Sequence, residues 1–312
     1  MRLKEYFSNL FPNKDILFTS SGRSAFQALI EDLKLEDTKM LIQSFICKEV
    51  FLPLLKSNNI SPIFIDSGKN NFNISLKDIK KASRNKKPSS LLLVHTFGKT
   101  NEEIDKISEW CKKNKIHLIE DCAHCLNLKF KGKQLGSFGI ASVFSFPKTL
   151  KKISGGAYVK NNGEIKIKPE KYKINSLDIA RLSYKIPFRE LIMKPLRLFK
   201  KNNSQNYGKI KIIEMPFFAN KINEKYTNLE KRKQKTLEIY NQLKNKYNIK
   251  LEKENNFFQS IPLLVSPEKR ESVFKELSKK YKCEKLWTSC FKGKKSEFYS
   301  KRIINILIST SF

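Results

Sequence analysis

An α/β domain with a mostly parallel sheet, followed by a small C-terminal α+β domain, is the fold class this sequence predicts. Three observations carry the prediction. Through the first half of the chain, short apolar runs alternate with stretches of helical spacing, the strand–helix–strand rhythm that builds a parallel sheet. After about residue 165 the rhythm weakens, and basic, irregular sequence with several prolines fills 166–215. A long helical pattern and a few more apolar runs then follow.

The elements follow in order. "FTSSGRSAFQALI" (18–30) reads as a strand end, a Ser-Ser-Gly turn and a helix that starts at once. "MLIQSFI" (40–46), "SPIFID" (61–66), "SLLLVHTFG" (90–98), "IHLIED" (116–121) and "ASVFSF" (141–146) read as buried strands. Between them, 24–34, 47–58 and 101–114 place apolar residues at helical intervals. Downstream, 220–247 reads as a long helix, 260–266 as a strand, 267–281 as a helix and 303–309 as a last apolar run. The expected division is a large domain over 1–240 and a small one over 241–312.

Composition bounds the function. The chain has 312 residues, 40% of them hydrophobic, with 23 Phe and 10 Tyr, which is enough for a buried core and unlike a disordered chain. Lys and Arg number 62 against 30 Asp and Glu, a formal charge of +32. A charge of that size attracts anions, phosphates and nucleic acid among them. The lysines are scattered, and the basic runs at 81–87, 230–235 and 291–295 lie far apart, so no specific nucleic-acid face is expected. The six cysteines are sparse and sit inside apolar runs, unlike a disulfide framework. No stretch approaches the roughly 20 apolar residues of a membrane span. The expectation is a reduced, cytoplasmic protein with no membrane segment and no metal.

In parallel sheets ligands collect beyond the carboxyl ends of the strands, so three strand ends hold the candidate residues. At the first, Gly22 permits a tight turn and the helix start offers amides to an anion; Ser there is also an ordinary helix cap. At the second, Glu120 and Asp121 end a strand and His124 follows. A carboxylate at that place pairs with a cationic ring nitrogen or a metal, or caps a turn. Cys122 and Cys125 form a CxxC without the second ligand pair a zinc site needs. At the third, Ser145 ends a strand, Lys148 comes just past it, and Gly155-Gly156 follow. Flanked by Phe144, Phe146, Pro147 and Leu150, Lys148 is expected to be partly desolvated, which makes an amine nucleophilic. The alternative is a surface lysine with its stem on apolar atoms, as Lys151 and Lys152 are expected to be.

Taken in order, a glycine turn at a helix start, an Asp after a strand with His three on, and a Lys followed by Gly-Gly resemble the DegT/StrS-like aminotransferases. These are fold-type-I pyridoxal phosphate enzymes, many of which aminate keto sugars. The likeness runs from about residue 15 to 160, through "PIFIDSGKNNFNISLKDIKKA" (62–82) and "LLLVHTFGKTNEEIDKI" (91–107). It is fainter through "EKRKQKTLEIYNQL" (230–243), where the family has a helix with an Arg, and "IPLLVSPEKRESVFKEL" (261–277). The resemblance implies that Lys148 binds pyridoxal phosphate covalently and later moves the proton. It implies that Asp121 pairs with the ring nitrogen and that His124 lies near the phenolic oxygen or ring face. Gly22, Arg23 and Ser24 would offer amides to the phosphate, and Ser145 a hydroxyl.

The chain departs from the family in places. "SFPK" brings the lysine two residues closer to the strand, and Cys47 falls where the family stacks an aromatic ring on the cofactor. Phe45 alternates to the opposite face, which leaves His124 for that contact. The family's partner-subunit Asn has no counterpart near "IIEMPFFAN" (212–220). The function implied is a homodimeric aminotransferase taking an amino group, with glutamate as donor, to a nucleotide-linked keto-sugar acceptor. The alternative is a homologue that binds the cofactor without transaminating, in a binding or regulatory role.

Overall fold

The computed structural model describes residues 2–68, 72–150, 153–173, 208–220, 228–247 and 260–308. Lys151 and Lys152 lie outside them. The first element is an amphipathic helix, α1 (Leu3–Leu10), which buries Leu3 and Phe7. A seven-stranded sheet follows, with β1 (Asp15–Thr19), β2 (Lys39–Gln43), β3 (Ser61–Ile65), β4 (Ser90–Val94) and β5 (His117–Asp121). A small hairpin of β6 (Lys129–Phe130) and β7 (Lys133–Gln134) precedes the last two strands, β8 (Ala141–Ser145) and β9 (Gly156–Lys160). The strand order is β1-β9-β8-β5-β4-β2-β3. β8, β5, β4, β2 and β3 are mutually parallel, and β9 is antiparallel to both β8 and β1. β9 alone therefore runs backwards, and the carboxyl ends of the other six share one edge.

Residues of each strand alternate between two cores, as the two-residue period of a strand requires. Leu91, Leu93, Leu118 and Phe144 join one cluster, into which Phe7 and Phe11 also pack. Leu92, Val94, Ile119 and Val143 join the other, with Ala25, Phe26 and Leu29 of α2 (Gly22–Asp32). Both faces are apolar, so the strands read in sequence as continuous runs instead of alternating ones. The remaining helices of this unit are α3 (Lys48–Ser57), α4 (Leu76–Ser83), α5 (Ile104–Lys113) and the single turn α6 (Phe146–Thr149).

Downstream, β10 (Ser260–Leu264), β12 (Ile303–Leu307) and β11 (Cys283–Glu284) form a three-stranded antiparallel sheet with β12 in the middle. Its core takes Ile239 and Leu243 from the helix Leu229–Tyr247. The expected domain boundary at 240 falls inside that helix; residues 221–227, which the sequence also predicts as helix, lie outside the described residues. Residues 287–296 pack back onto the large sheet. Ser289 Oγ donates to Glu49 Oε1 at 2.6 Å, and the Phe291 amide to the Ser44 carbonyl at 3.0 Å. Asp66 Oδ1 takes the Ser296 amide at 2.9 Å.

Candidate active site

A cavity of about 440 Å³ opens at the carboxyl edge of the sheet, on the α2–α3 face. Each strand end supplies part of its wall. Ser21, Gly22 and Arg23 come from the turn after β1; Cys47 and Glu49 from the start of α3; Val94 and His95 from β4. Asp121, Ala123 and His124 follow β5, Ser145, Pro147 and Lys148 follow β8, and Trp287 arrives from far along the chain. The alternation explains the grouping. Val94, Asp121, Val143 and Ser145 occupy equivalent positions of their strands and so face the same way.

At the start of α2, Ser21 is the N-cap: its Oγ accepts from the Ser24 amide at 3.1 Å. Gly22 and Arg23 are the residues left facing the cavity. Ser24 departs from the expectation. Its amide is taken by the cap, and its buried hydroxyl donates to the Lys211 carbonyl at 3.0 Å and accepts from the Ile213 amide at 2.9 Å. It is absent from the cavity wall. Gly22 is required by close approach, because a Cβ there would stand 3.0 Å from Ser145 Cβ. Gly156 presses against it from β9: its Cβ would lie 2.7 Å from Gly22 N and 2.6 Å from the Phe144 carbonyl oxygen.

Glu120 and Asp121 do different things because neighbouring strand residues face opposite ways. Glu120 is fully buried and accepts the amides of Gly136 (2.8 Å), Phe138 (2.6 Å) and Gly139 (2.9 Å), with His95 Nε2 at 3.2 Å. His95, Glu120 and Cys122 bring potential ligand atoms within 4.8 Å of one another. With its oxygens already engaged by those donors, Glu120 acts as the hub that shapes the 136–139 loop. Cys122 and Cys125 are buried and unbonded, and burial pushes both thiols well above their usual range.

Asp121 turns into the cavity, where its Oδ1 accepts the Ala123 amide at 2.9 Å. Burial raises its carboxyl above the usual range, against the opposing pull of that amide and of the His95 and Lys148 charges. His124 is buried and held near pKa 3, first by desolvation and then by the Lys148 charge, so its imidazole is neutral. Burial likewise raises the Cys47 thiol, assisted by Glu49 and opposed by Lys148. Lys148 thus stands within electrostatic reach of Asp121, His124 and Cys47.

The expected desolvation of Lys148 is corrected. Phe146 and Leu150 are one turn apart and buried, Phe144 packs edge-on against Phe7 at 5.0 Å, and all three point into the core. Lys148 and Pro147 lie on the other side of the turn and are exposed. What fixes the turn is Arg232, a buried residue of the helix Leu229–Tyr247 whose Nη2 donates to the Thr149 carbonyl at 2.6 Å.

Phe45 is fully buried among Phe72, Phe97, Tyr299 and Trp287, off the cavity wall. Trp287, His95 and Glu49 are wall residues that sequence reasoning passed over. His95 had a usable signal, as a polar residue at a strand end; Trp287 lies in a polar stretch, and nothing local marks it.

The profile of the DegT/DnrJ/EryC1/StrS aminotransferase family matches residues 2–290 of the chain. GDP-perosamine synthase of Escherichia coli O157:H7 is 36% identical over 110 residues, 35% of this chain and 30% of the synthase. UDP-4-amino-4,6-dideoxy-N-acetyl-beta-L-altrosamine transaminase of Campylobacter jejuni is 39% identical over 105 residues, 33% of this chain and 28% of that one. The chain spans less than half the length of the curated relatives it matches. Among solved structures, the Helicobacter pylori aminotransferase PseC, described as involved in pseudoaminic acid biosynthesis, shares the fold with a TM-score of 0.63 at 17% identity, over 97% of this chain and 84% of that one.

Proposed function

This chain belongs to the DegT/DnrJ/EryC1/StrS aminotransferase family, and from that premise we propose that it is a pyridoxal phosphate-dependent aminotransferase. The reaction is amino transfer from glutamate to a keto sugar, nucleotide-linked, in the making of amino sugars or surface polysaccharide. One observation carries the reading. An amine, a carboxylate and a helix start, Lys148, Asp121 and Gly22–Arg23, converge on one face and one edge of the sheet. Two of the relatives are named for nucleotide-linked amino sugars, which supports the acceptor class.

The residues fit the cofactor. The first turn of α2 receives a phosphate on its amides and dipole, in a space that a Cβ at Gly22 would crowd, with the Ser145 hydroxyl beside it. Asp121, whose carboxylate burial disfavours, regains its charge when a cationic ring nitrogen stands opposite. Bound, pyridoxal phosphate supplies an aldehyde that captures amines and a ring that takes up carbanion charge. Lys148 is the amine that would hold the cofactor, and its Nζ, once free, would take and return the proton at the reacting carbon. His124, neutral, offers a hydrogen bond without adding a competing cation to the wall.

Lys148, Pro147 and Arg23 are all exposed in the single chain. A second copy over the cavity mouth would exclude water from them, which favours a homodimer. Among the described residues no helix is long and apolar enough to cross a membrane. All six cysteines are free, which suits a reducing compartment such as the cytoplasm.

The test is an absorbance spectrum of the purified protein, before and after glutamate. The cofactor-bound protein should absorb at the edge of the visible and lose that band with the amino donor. Lys148→Ala should carry no covalent cofactor after borohydride reduction, read by mass. A variant that keeps both the band and the trapped mass would sink the assignment.

A further inference from the structure

Trp287 lies 139 residues beyond Lys148, the wall residue nearest to it in sequence, yet its indole is nearly parallel to His124, with centroids 6.0 Å apart and an interplanar angle of 19°. It packs on Phe97 at 4.5 Å and on Phe45 at 5.4 Å. Phe97 in turn is stacked on His124 at 6.2 Å and 15°. Two aromatic rings therefore back one imidazole, each near the offset geometry that such pairs prefer.

The backbone shows that this placement is over-determined. Trp287 has φ 55, the left-handed region that a bulky side chain adopts only where its surroundings compel it. The compulsion is visible on the downstream side. Ser289 Oγ holds Glu49 at 2.6 Å, the Phe291 amide holds the Ser44 carbonyl at 3.0 Å, and Ser44 Oγ holds the Lys292 carbonyl at 2.8 Å. These bonds stitch the 289–292 segment to the β2–α3 junction, so the indole is delivered onto the wall that carries His124.

We propose that Trp287 is a positioning residue for His124, holding the imidazole flat against the cavity wall and dry on its outer side. The dryness matters because of the charges around the ring. Lys148 and Asp121 come from the adjoining strand ends, and Arg23, Glu49, His95 and the Cys47 thiol share the cavity. Water admitted behind the ring would stabilise the imidazolium and set a cation beside Lys148. The effect on His124 stands whether or not the cofactor reading holds; the effect on cofactor affinity rests on that reading.

The experiment separates the two. Ring signals of the three histidines, His95, His117 and His124, are followed by NMR against pH in the full chain freed of cofactor, with His124→Gln giving the assignment and exposed His117 as an internal standard. In the unaltered protein His124 should stay neutral down to about pH 4, given a value near 3. In Trp287→Ala its midpoint should rise above about pH 5, toward the ordinary 6.5, and Trp287→Phe should restore the low value. Pyridoxal 5′-phosphate titrated into the same proteins should bind about 3- to 10-fold more weakly in Trp287→Ala and normally in Trp287→Phe. A His124 midpoint unchanged in a folded Trp287→Ala overturns the proposal, even if the variant melts earlier, because a purely structural role lowers stability alone. Failure of the unaltered protein to bind pyridoxal 5′-phosphate overturns the function proposed above and leaves the histidine result to stand.

Discussion

Gly156→Ala tests the junction on which the helix start depends. The new Cβ would lie 2.6 Å from the Phe144 carbonyl oxygen, 2.7 Å from Gly22 N and 2.8 Å from Gly22 Cα. All three are backbone atoms, so no side chain can swing aside. Ordinary carbon contacts lie at about 3.5–4.0 Å, so β9 and the start of α2 must part by about 1 Å. Overpacking of this kind costs about 1–3 kcal/mol, and rigid neighbours on both sides place this case at the upper end. The same displacement moves Gly22 and Arg23 away from Ser145, in the proposed phosphate cradle, and misplacement by about 1 Å at a site can cost about 100-fold. Urea unfolding should show a lower midpoint at unchanged slope, and absorbance titration a weaker affinity for pyridoxal 5′-phosphate. Gly208→Ala is the control, since among the described residues, its chain neighbours aside, no atom would lie within 4 Å of its Cβ. A Gly156→Ala protein with the stability and cofactor affinity of the parent would refute the steric argument.

Glu120→Gln puts an amide NH₂ where the Gly136 amide and His95 now donate; breaking such a buried charged hub should cost about 3–5 kcal/mol, measured by urea unfolding. Arg232→Met removes the bond to the Thr149 carbonyl; stability should fall by about 1.5–3 kcal/mol, and hydrogen exchange should accelerate at the amides of 148–150 ahead of the sheet. His124 sets a pH dependence. Its pKa is near 3 folded and about 6.5 unfolded, so the unfolded chain alone binds a proton between those values. Stability is complete above about pH 6.5 and declines as pH falls toward 3, by roughly 3–5 kcal/mol from this group; His124→Gln should flatten that part of the stability profile.

Much of this was legible in the sequence, and for definite reasons. A parallel sheet buried on both faces needs unbroken apolar runs, so "SLLLV" and "ASVF" announced themselves, and the residues just after such runs gather at one edge whatever the loops do. That is why Gly22, Asp121, His124, Ser145 and Lys148 share a cavity. Contacts made across long stretches of chain left no local trace. Ser24 looked like a cradle residue because its hydroxyl's partners, Lys211 and Ile213, lie in irregular sequence. The exposure of Lys148 followed from which side of a single helical turn Phe146 and Leu150 occupy, a matter decided by α1 packing beneath them. Trp287 was hidden for the same reason, as no periodic pattern links it to β5.

The stitches between Ser44, Glu49 and the 289–292 segment also bear on the order of events at the ribosome. Every other wall residue has been made by position 148, and the parallel sheet can begin to assemble as its strands emerge. The pocket nevertheless lacks one side until some 140 further residues have been synthesised. A ligand of the proposed kind meeting the nascent chain would find the proposed anion cradle and the Lys148 amine open to water, so on that reading its secure capture is deferred until translation has passed that tryptophan.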